Sequence, residues 1–156
     1  MPDFKYQKPF PITKDTTKYR LLTTNHISVV EFDGRKILKV APEGLEMLSQ
    51  EAYHDVSFYL RASHLKKLED ILKDPEATDN DRFVAYTMLL NQMVTAAGEL
   101  PTCQDTGTAI CVGKKGEDVY TGVDDAEYIS KGVFNTFQTD NLRFSQIVPL
   151  TMLDEK

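Results

Sequence analysis

The sequence predicts an α+β fold in which a small, mostly antiparallel sheet packs against about four helices. A hairpin pattern lies between residues 27 and 40, and apolar residues at helical spacing recur between residues 42 and 97 and again after residue 124. The chain has 156 residues. That length suits one domain, because a chain of about 150 residues buries roughly two-thirds of its unfolded surface in a single core.

The first element is a hairpin that follows a polar arm. Residues 1–26 are irregular in pattern and contain three prolines, so an extended arm is predicted there. Two runs rich in β-branched and apolar residues follow, Ile27–Phe32 and Arg35–Val40. Asp33 and Gly34 join them, and this dipeptide accommodates the two positive φ angles of a type I′ turn.

Three helices are predicted next. Pro42 suits the first turn of a helix that extends to about Leu60, and Ser63 is expected to cap the second helix. Thr78 with Asp81 resembles a capping box that opens the third. The apolar faces expected to point inward are Leu45, Leu48, Ala52, Val56 and Tyr59 in the first helix, Leu65, Leu68, Ile71 and Leu72 in the second, and Phe83, Tyr86, Leu90, Met93, Val94 and Ala97 in the third.

The pattern changes after residue 100. Residues 100–107 have no periodicity and are predicted to form a loop, whereas residues 108–112 and 118–121 are predicted to be strands joined by a turn. Asp124 is expected to cap the fourth helix. The buried face predicted for that helix consists of Ile129, Val133, Phe134 and Phe137.

Composition excludes several functional classes. The chain has 18 Lys and Arg against 24 Asp and Glu, a formal charge of −6, which argues against non-specific nucleic-acid binding. Its longest uncharged stretch, residues 83–98, is too short and too polar to cross a bilayer. The first ten residues lack the apolar segment of a secretory signal. With two cysteines, a cytoplasmic protein with free thiols is expected.

The loop at residues 100–107 is the strongest candidate for chemistry. It places a thiol, an amide and a carboxylate in succession at Cys103, Gln104 and Asp105, and backbone N–H groups near Gly107 could face an anion. The alternative is a structural turn with a buried, inert cysteine. Cys111 lies in an apolar run and is expected to fill the core.

Other polar residues give weaker signals. Arg143 follows the fourth helix among apolar residues, where it is either a helix-end salt bridge or a clamp for a carboxylate. The three histidines do not cluster, so a zinc site has no support. A nucleophilic pair of Cys103 with His54 or His64 has only the presence of both residue types in its favour.

Residues 100–110, LPTCQDTGTAI, resemble the first cluster-ligand motif of the class I, iron–sulfur-dependent fumarate hydratases. Segments 6–11, 37–43, 74–77 and 140–146 are also similar to that family, so the resemblance covers nearly the whole chain in order. It implies that residues 1–156 are the N-terminal domain of a longer enzyme.

The resemblance also implies a chemistry. In that family three cysteines hold a [4Fe–4S] cluster whose open iron acts as a Lewis acid in the interconversion of (S)-malate with fumarate and water. Cys103 would be the first ligand. Gln104 and Asp105 would reach the polar groups of the substrate, and Arg143 would bind one of its carboxylates. The base in this family comes from a later part of the sequence, so none is assigned here.

One thiolate is too few for a cubane cluster, so the isolated chain is expected to bind no stable cluster and to be inactive. The resemblance implies a cytoplasmic homodimer for the longer enzyme, acting on a small dicarboxylate, with no nucleic-acid or membrane partner. Two alternatives stay open at this point. One is a related iron–sulfur dehydratase that acts on tartrate, and the other is a stand-alone interaction module that kept the fold without the chemistry.

Overall fold

The computed structural model describes residues 4–8, 18–146 and 151–154. Within these ranges one three-stranded sheet and four helices are present, which confirms the α+β class. The elements are β1 (Ile27–Phe32), β2 (Arg35–Val40), α1 (Pro42–Phe58), α2 (Ala62–Lys73), α3 (Asp79–Thr95), β3 (Val119–Tyr120) and α4 (Asp125–Thr139). Residues 1–3 and 9–17 of the predicted arm lie outside the described residues, and its described parts contain neither helix nor strand.

The sheet is mixed rather than mostly antiparallel. β1 and β2 pair antiparallel along their whole length, and the turn between them has positive φ angles of 48° at Asp33 and 73° at Gly34, as predicted. β3 pairs with β2 in parallel. Parallel neighbours need a long crossover, and here the segment containing α1, α2 and α3 makes it.

The strand predicted at residues 108–112 is wrong. Ala109 and Cys111 border a groove shared by α1 and α4. Ile110 and Val112 are exposed. This segment lies beside helices, and in the described part of the chain it joins no sheet. Of residues 118–121, only Val119–Tyr120 is a strand.

α1 and α4 are joined through small side chains. Ser49 and Gly132 are buried where the two helices meet. The hydroxyl of Ser49 donates within its own helix to the carbonyl oxygens of Leu45 and Glu46, at 3.1 and 3.0 Å. The missing side chain at Gly132 lets the two backbones approach closely.

Polar side chains complete the α1–α4 contact. Thr136 is fully buried, and its hydroxyl donates to the carbonyl oxygen of Gln50 at 2.8 Å. The Glu46 carboxylate forms an ion pair with the Lys131 ammonium at 2.8 Å and accepts a hydrogen bond from the Asn135 amide at 2.8 Å. Hydrogen bonds and ion pairs thus fix the register of these two helices, where an apolar seam was expected.

The carboxyl end of α1 is held by α3. Phe58 is buried, and its carbonyl oxygen accepts hydrogen bonds from Gln92 Nε2 at 2.7 Å and Thr95 Oγ1 at 3.2 Å. These bonds satisfy a backbone acceptor that the end of a helix leaves without an intrahelical donor. They also fix the place where the chain leaves α1.

The predicted helix starts are mostly correct. Pro42 occupies the first turn of α1. Thr78 caps α3, and both halves of its capping box with Asp81 are present. The cap expected at Ser63 is wrong, because α2 begins one residue earlier and Arg61 is its N-cap, with no side-chain capping bond. Asp124 caps α4 by accepting the N–H of Ala126 at 3.0 Å.

Several helix faces predicted to be inward are exposed. The α1 face comprises Leu48, Ala52, Val56 and Tyr59, and the α3 face comprises Phe83, Tyr86, Leu90, Met93 and Val94. Leu48 is 57% exposed and Phe83 is 67% exposed; Phe134 of α4 is exposed as well. The residues that α3 does bury are Ala85, Gln92 and Thr95. Periodicity identifies an apolar face but does not identify the surface that covers it. No helix within the described ranges is long and apolar enough to span a bilayer.

Candidate functional site

The cysteine loop, residues 101–108, is anchored at Thr102. The backbone N–H of Thr102 donates to the carbonyl oxygen of Ser57 at 2.8 Å. Its own carbonyl oxygen accepts from Asn91 Nδ2 at 3.0 Å. The residue directly before Cys103 is therefore tied to the last turn of α1 and to α3, although the loop itself has no regular structure.

Cys103 is free and exposed, so the alternative of a buried structural cysteine in this loop is wrong. Its sulfur accepts the backbone N–H of Asp105 at 3.4 Å. Beside it lies a groove of about 590 Å³, lined mostly by apolar side chains of α2 and α3 such as Leu68, Phe83 and Met88. An exposed sulfur that already accepts a backbone N–H has the chemistry of a soft metal ligand.

Cys111 is exposed as well, so the expectation that it fills the core is wrong. Its sulfur lies 3.5 Å from the Tyr53 hydroxyl. Burial, with the hydrogen bond to Cys111 as the second cause, raises the pKa of Tyr53 to about 12. This cysteine is engaged with α1, away from the loop that contains Cys103.

The second part of the site is the arginine segment, residues 141–146, which follows α4. Leu142 is buried, whereas Phe144 is 63% exposed and its ring lies 5.5 Å from that of Phe137. Arg143 itself is exposed. Its guanidinium makes no ion pair with an acidic residue in the described ranges, so the helix-end salt bridge is not seen there.

The cysteine loop and the arginine segment are in direct contact. The contacts are Thr106 Oγ1 to the Arg143 carbonyl oxygen (2.5 Å), Gly107 N to Ser145 Oγ (3.2 Å), Ser145 Oγ to Asp105 Oδ1 (3.3 Å) and Thr108 Oγ1 to Gln146 Oε1 (3.5 Å). They bring together two segments almost forty residues apart in sequence. Cys103, Gln104, Asp105 and Arg143 are all exposed in these two touching segments.

Sequence reasoning missed the residues that hold this site together. Thr106 and Ser145 join its two halves, and Asn91 anchors the loop from α3. Short hydroxyl side chains in loops often bond to nearby backbone groups, which is a general signal. That signal does not specify a partner so distant along the chain.

His54 and His64, the two histidines considered as partners of Cys103, lie in different places. His54 Nδ1 is 2.9 Å from Asp140 Oδ2, and its ring is 4.8 Å from that of Phe58, so His54 is engaged with the end of α4. His64 borders the groove beside Cys103. Within the described residues, no group of three or more His, Cys, Asp or Glu side chains is arranged to hold a metal ion.

Comparison with known proteins identifies the family. The sequence profile of the fumarate hydratase (Fumerase) family matches residues 46–156. The chain is 56% identical over 152 residues to the aerobic class I fumarate hydratase of Escherichia coli K12, and 57% identical over the same length to the anaerobic class I enzyme of that strain. It is 48% identical over 147 residues to the mitochondrial fumarate hydratase 1 of Leishmania major.

Coverage of these relatives is uneven. The alignments include 97% of this chain for the two bacterial enzymes and 93% for the Leishmania enzyme. They include only 28% of each bacterial enzyme and 27% of the Leishmania enzyme. The chain thus spans under a third of the length of the curated relatives it matches, and it belongs to the fumarate hydratase family, matching the N-terminal part of its class I members.

Proposed function

We propose that this chain is the N-terminal part of a hydro-lyase that interconverts (S)-malate with fumarate and water. The observation that carries the proposal is the contact between the cysteine loop and the arginine segment. This contact, together with the exposure of Arg143, Gln104 and Asp105, supports a shared substrate site for the three side chains. The relatives named fumarate hydratase, similar along almost the entire chain, support a dicarboxylate as the substrate.

The residues of the site suit different polar groups of such a substrate. A guanidinium forms two parallel hydrogen bonds with a carboxylate, so Arg143 would bind one end of the dicarboxylate. The amide of Gln104 can donate and accept, which suits a hydroxyl or a carboxylate oxygen. Asp105 offers an acceptor for the hydroxyl proton of malate. Together these groups would orient the substrate so that the leaving hydroxyl and the proton lost from the adjacent carbon have fixed positions.

An iron–sulfur cluster fits the site in part. Cys103 supplies one exposed sulfur, whereas cubane clusters ordinarily have three or four protein ligands. We propose that Cys103 is one ligand of a [4Fe–4S] cluster and that the others lie in the remainder of a longer polypeptide. When bound, such a cluster would supply a Lewis acid that polarises the hydroxyl of malate. The isolated 156-residue chain would then bind no stable cluster and be inactive.

The exposed α1 and α3 faces support a longer enzyme. Contiguous apolar surface on a water-soluble protein usually marks a place where another surface packs. We propose that the remainder of the polypeptide packs there, and that the complete enzyme is a cytoplasmic homodimer without nucleic-acid or membrane partners. The relatives are more than three times as long as the aligned segment, so such a remainder has a precedent in the family.

The test is anaerobic reconstitution with iron and sulfide of the 156-residue chain and of the longer polypeptide. Iron and sulfide are counted, and fumarate formation from (S)-malate is followed by absorbance. We expect only the longer protein to bind a cluster and to turn over malate. Cys103→Ser should lower its iron content and abolish turnover. Cys111→Ser is the matched control and should retain both properties.

Three results would contradict the proposal. Malate turnover by the isolated 156-residue chain would contradict the proposal that this chain lacks part of the active site. A longer protein that binds a cluster but is active only with tartrate would indicate a related dehydratase. A coding sequence that stops after residue 156, with no iron bound, would instead indicate an interaction module.

A further inference from the structure

We propose that Ser145 is a positioning residue that fixes the carboxylate of Asp105 for substrate binding. The inference rests on the proposed function and adds a specific role to a residue outside the set Gln104, Asp105 and Arg143. Ser145 lies in the arginine segment and is half-buried beneath the cysteine loop. Its hydroxyl makes three of the hydrogen-bonding contacts between the two halves of the site.

Three groups of the cysteine loop surround this hydroxyl. Asp105 Oδ1 lies at 3.3 Å, the backbone N–H of Gly107 at 3.2 Å and Thr106 Oγ1 at 3.2 Å. Gly107 has a φ of +62°, a left-handed backbone conformation that favours glycine. One side chain from residue 145 therefore contacts three consecutive residues that follow Gln104.

The single proton of Ser145 has a preferred acceptor. The Thr106 hydroxyl donates its own proton to the Arg143 carbonyl oxygen, and the N–H of Gly107 is itself a donor to Ser145. The acceptors left for Ser145 are Thr106 Oγ1 and the carboxylate oxygen of Asp105. A charged carboxylate forms the stronger hydrogen bond, so the proton is directed to Asp105.

This arrangement leaves the other carboxylate oxygen for a ligand. Asp105 is exposed, and its Oδ2 accepts no hydrogen bond from a described residue, whereas Oδ1 is held by Ser145. An exposed carboxylate without such a bond samples several rotamers. Holding one oxygen restricts that rotation and directs the second oxygen outward. Ser145 thereby acts through Asp105 and need not touch the substrate.

The test uses the longer enzyme with its cluster assembled. Ser145→Ala removes the hydroxyl, and Ser145→Thr retains it. Thr108→Val is the matched control, because it removes a bond between the same two segments at Gln146 without contacting Asp105. With rates expressed per assembled cluster, we expect Ser145→Ala to lower kcat/KM for (S)-malate about tenfold, the scale of one hydrogen bond to a charged group. Ser145→Thr should recover most of that loss, and Thr108→Val should change kcat/KM less than twofold.

A double-variant cycle separates positioning from stability. If Ser145 acts through Asp105, adding Ser145→Ala to Asp105→Ala, which has no acceptor for the Ser145 hydroxyl, should lower kcat/KM less than twofold further. An undiminished tenfold loss in that background would overturn the proposal, as would wild-type kcat/KM in Ser145→Ala. If the longer enzyme without substitutions is inactive with malate, the proposed function is refuted instead. Cluster content and melting temperature, measured for every variant, identify a loss that comes only from unfolding.

Discussion

Gly132 of α4 lies so close to Ser49 of α1 that a Cβ atom at position 132 would be 2.0 Å from Ser49 Oγ. The same atom would be 2.2 Å from the carbonyl oxygen of Glu46. The first conflict involves a small side chain, but the second involves helix backbone, which has no alternative rotamer. The separation of α1 and α4 is therefore set by the absence of a side chain at one position.

We expect Gly132→Ala to lower the free energy of unfolding by about 2 kcal/mol or more, because overpacking exceeds the benefit of a better helix former. Chemical denaturation measures the change. Gly113→Ala is the control, since nothing lies within 4 Å of its added Cβ. Adding Ser49→Gly should restore little, because the conflict with the Glu46 carbonyl remains. A Gly132→Ala protein as stable as the control would contradict the close contact.

The capping box of α3 gives a second prediction. Thr78 Oγ1 accepts the N–H of Asp81 at 3.2 Å, and Asp81 Oδ2 accepts the N–H of Thr78 at 2.9 Å. Thr78→Ala removes the first bond and should lower the free energy of unfolding by about 1 kcal/mol. Thr87→Ala in the same helix is the comparison, because its hydroxyl donates to the carbonyl of Phe83 one turn earlier and does not cap the helix. Equal losses of unfolding free energy in the two variants would show that the cap stabilises α3 no more than a side-chain bond within the helix does.

Glu46 predicts a pH dependence of stability. The hydrogen bond from Lys131 holds the pKa of Glu46 below its ordinary value of 4.5. A carboxyl whose folded pKa is lowered stabilises the fold above its unfolded pKa and loses that contribution as the pH falls through the folded pKa. Wild type should therefore be more stable than Glu46→Gln at pH 7, and the difference should shrink below pH 4.5.

Thermal unfolding of both proteins between pH 7 and pH 3 measures this difference. Glu99→Gln changes an exposed carboxyl in the segment after α3 and serves as the reference for a simple loss of charge. A gap between wild type and Glu46→Gln that stays constant over this pH range would contradict the assignment.

Arg143 predicts a difference between two cations. In the longer enzyme, Arg143→Lys keeps the charge but loses the planar fork, so we expect KM for (S)-malate to rise about tenfold. Arg143→Ala should raise KM further. Arg61→Lys, at the start of α2, should leave KM unchanged. Steady-state kinetics measure these effects, and an unchanged KM in Arg143→Lys would mean that charge alone suffices.

Local chemistry made several elements predictable. Asp33 and Gly34 supply the turn conformation themselves, Pro42 suits only the first turn of a helix, and Thr78 with Asp81 satisfies backbone groups within four residues. In each case both partners lie close together in the sequence. The class of the fold follows from such elements, since alternating and helical patterns differ in period.

The buried faces and the site assembly were not predictable in the same way. α1 and α4 meet through Ser49, Gly132 and Thr136, small or polar residues that an apolar pattern passes over. The contact of Thr106 with Arg143 joins segments that share no periodicity. The role proposed for Arg143 came from a family resemblance, and its proximity to the cysteine loop required the structure.

Thr102 is held on both sides, by the Ser57 carbonyl and by the Asn91 amide. Restricting one residue to a single backbone conformation costs about 1–2 kcal/mol of free energy through lost conformational entropy. The helices impose that restriction when the chain folds, so it would not be imposed again if the neighbouring Cys103 thiolate binds iron, as proposed. Folding and metal binding would then be separate steps at this residue. A cluster delivered after folding would then meet the Cys103 sulfur, its proposed ligand, next to a residue whose backbone is already fixed.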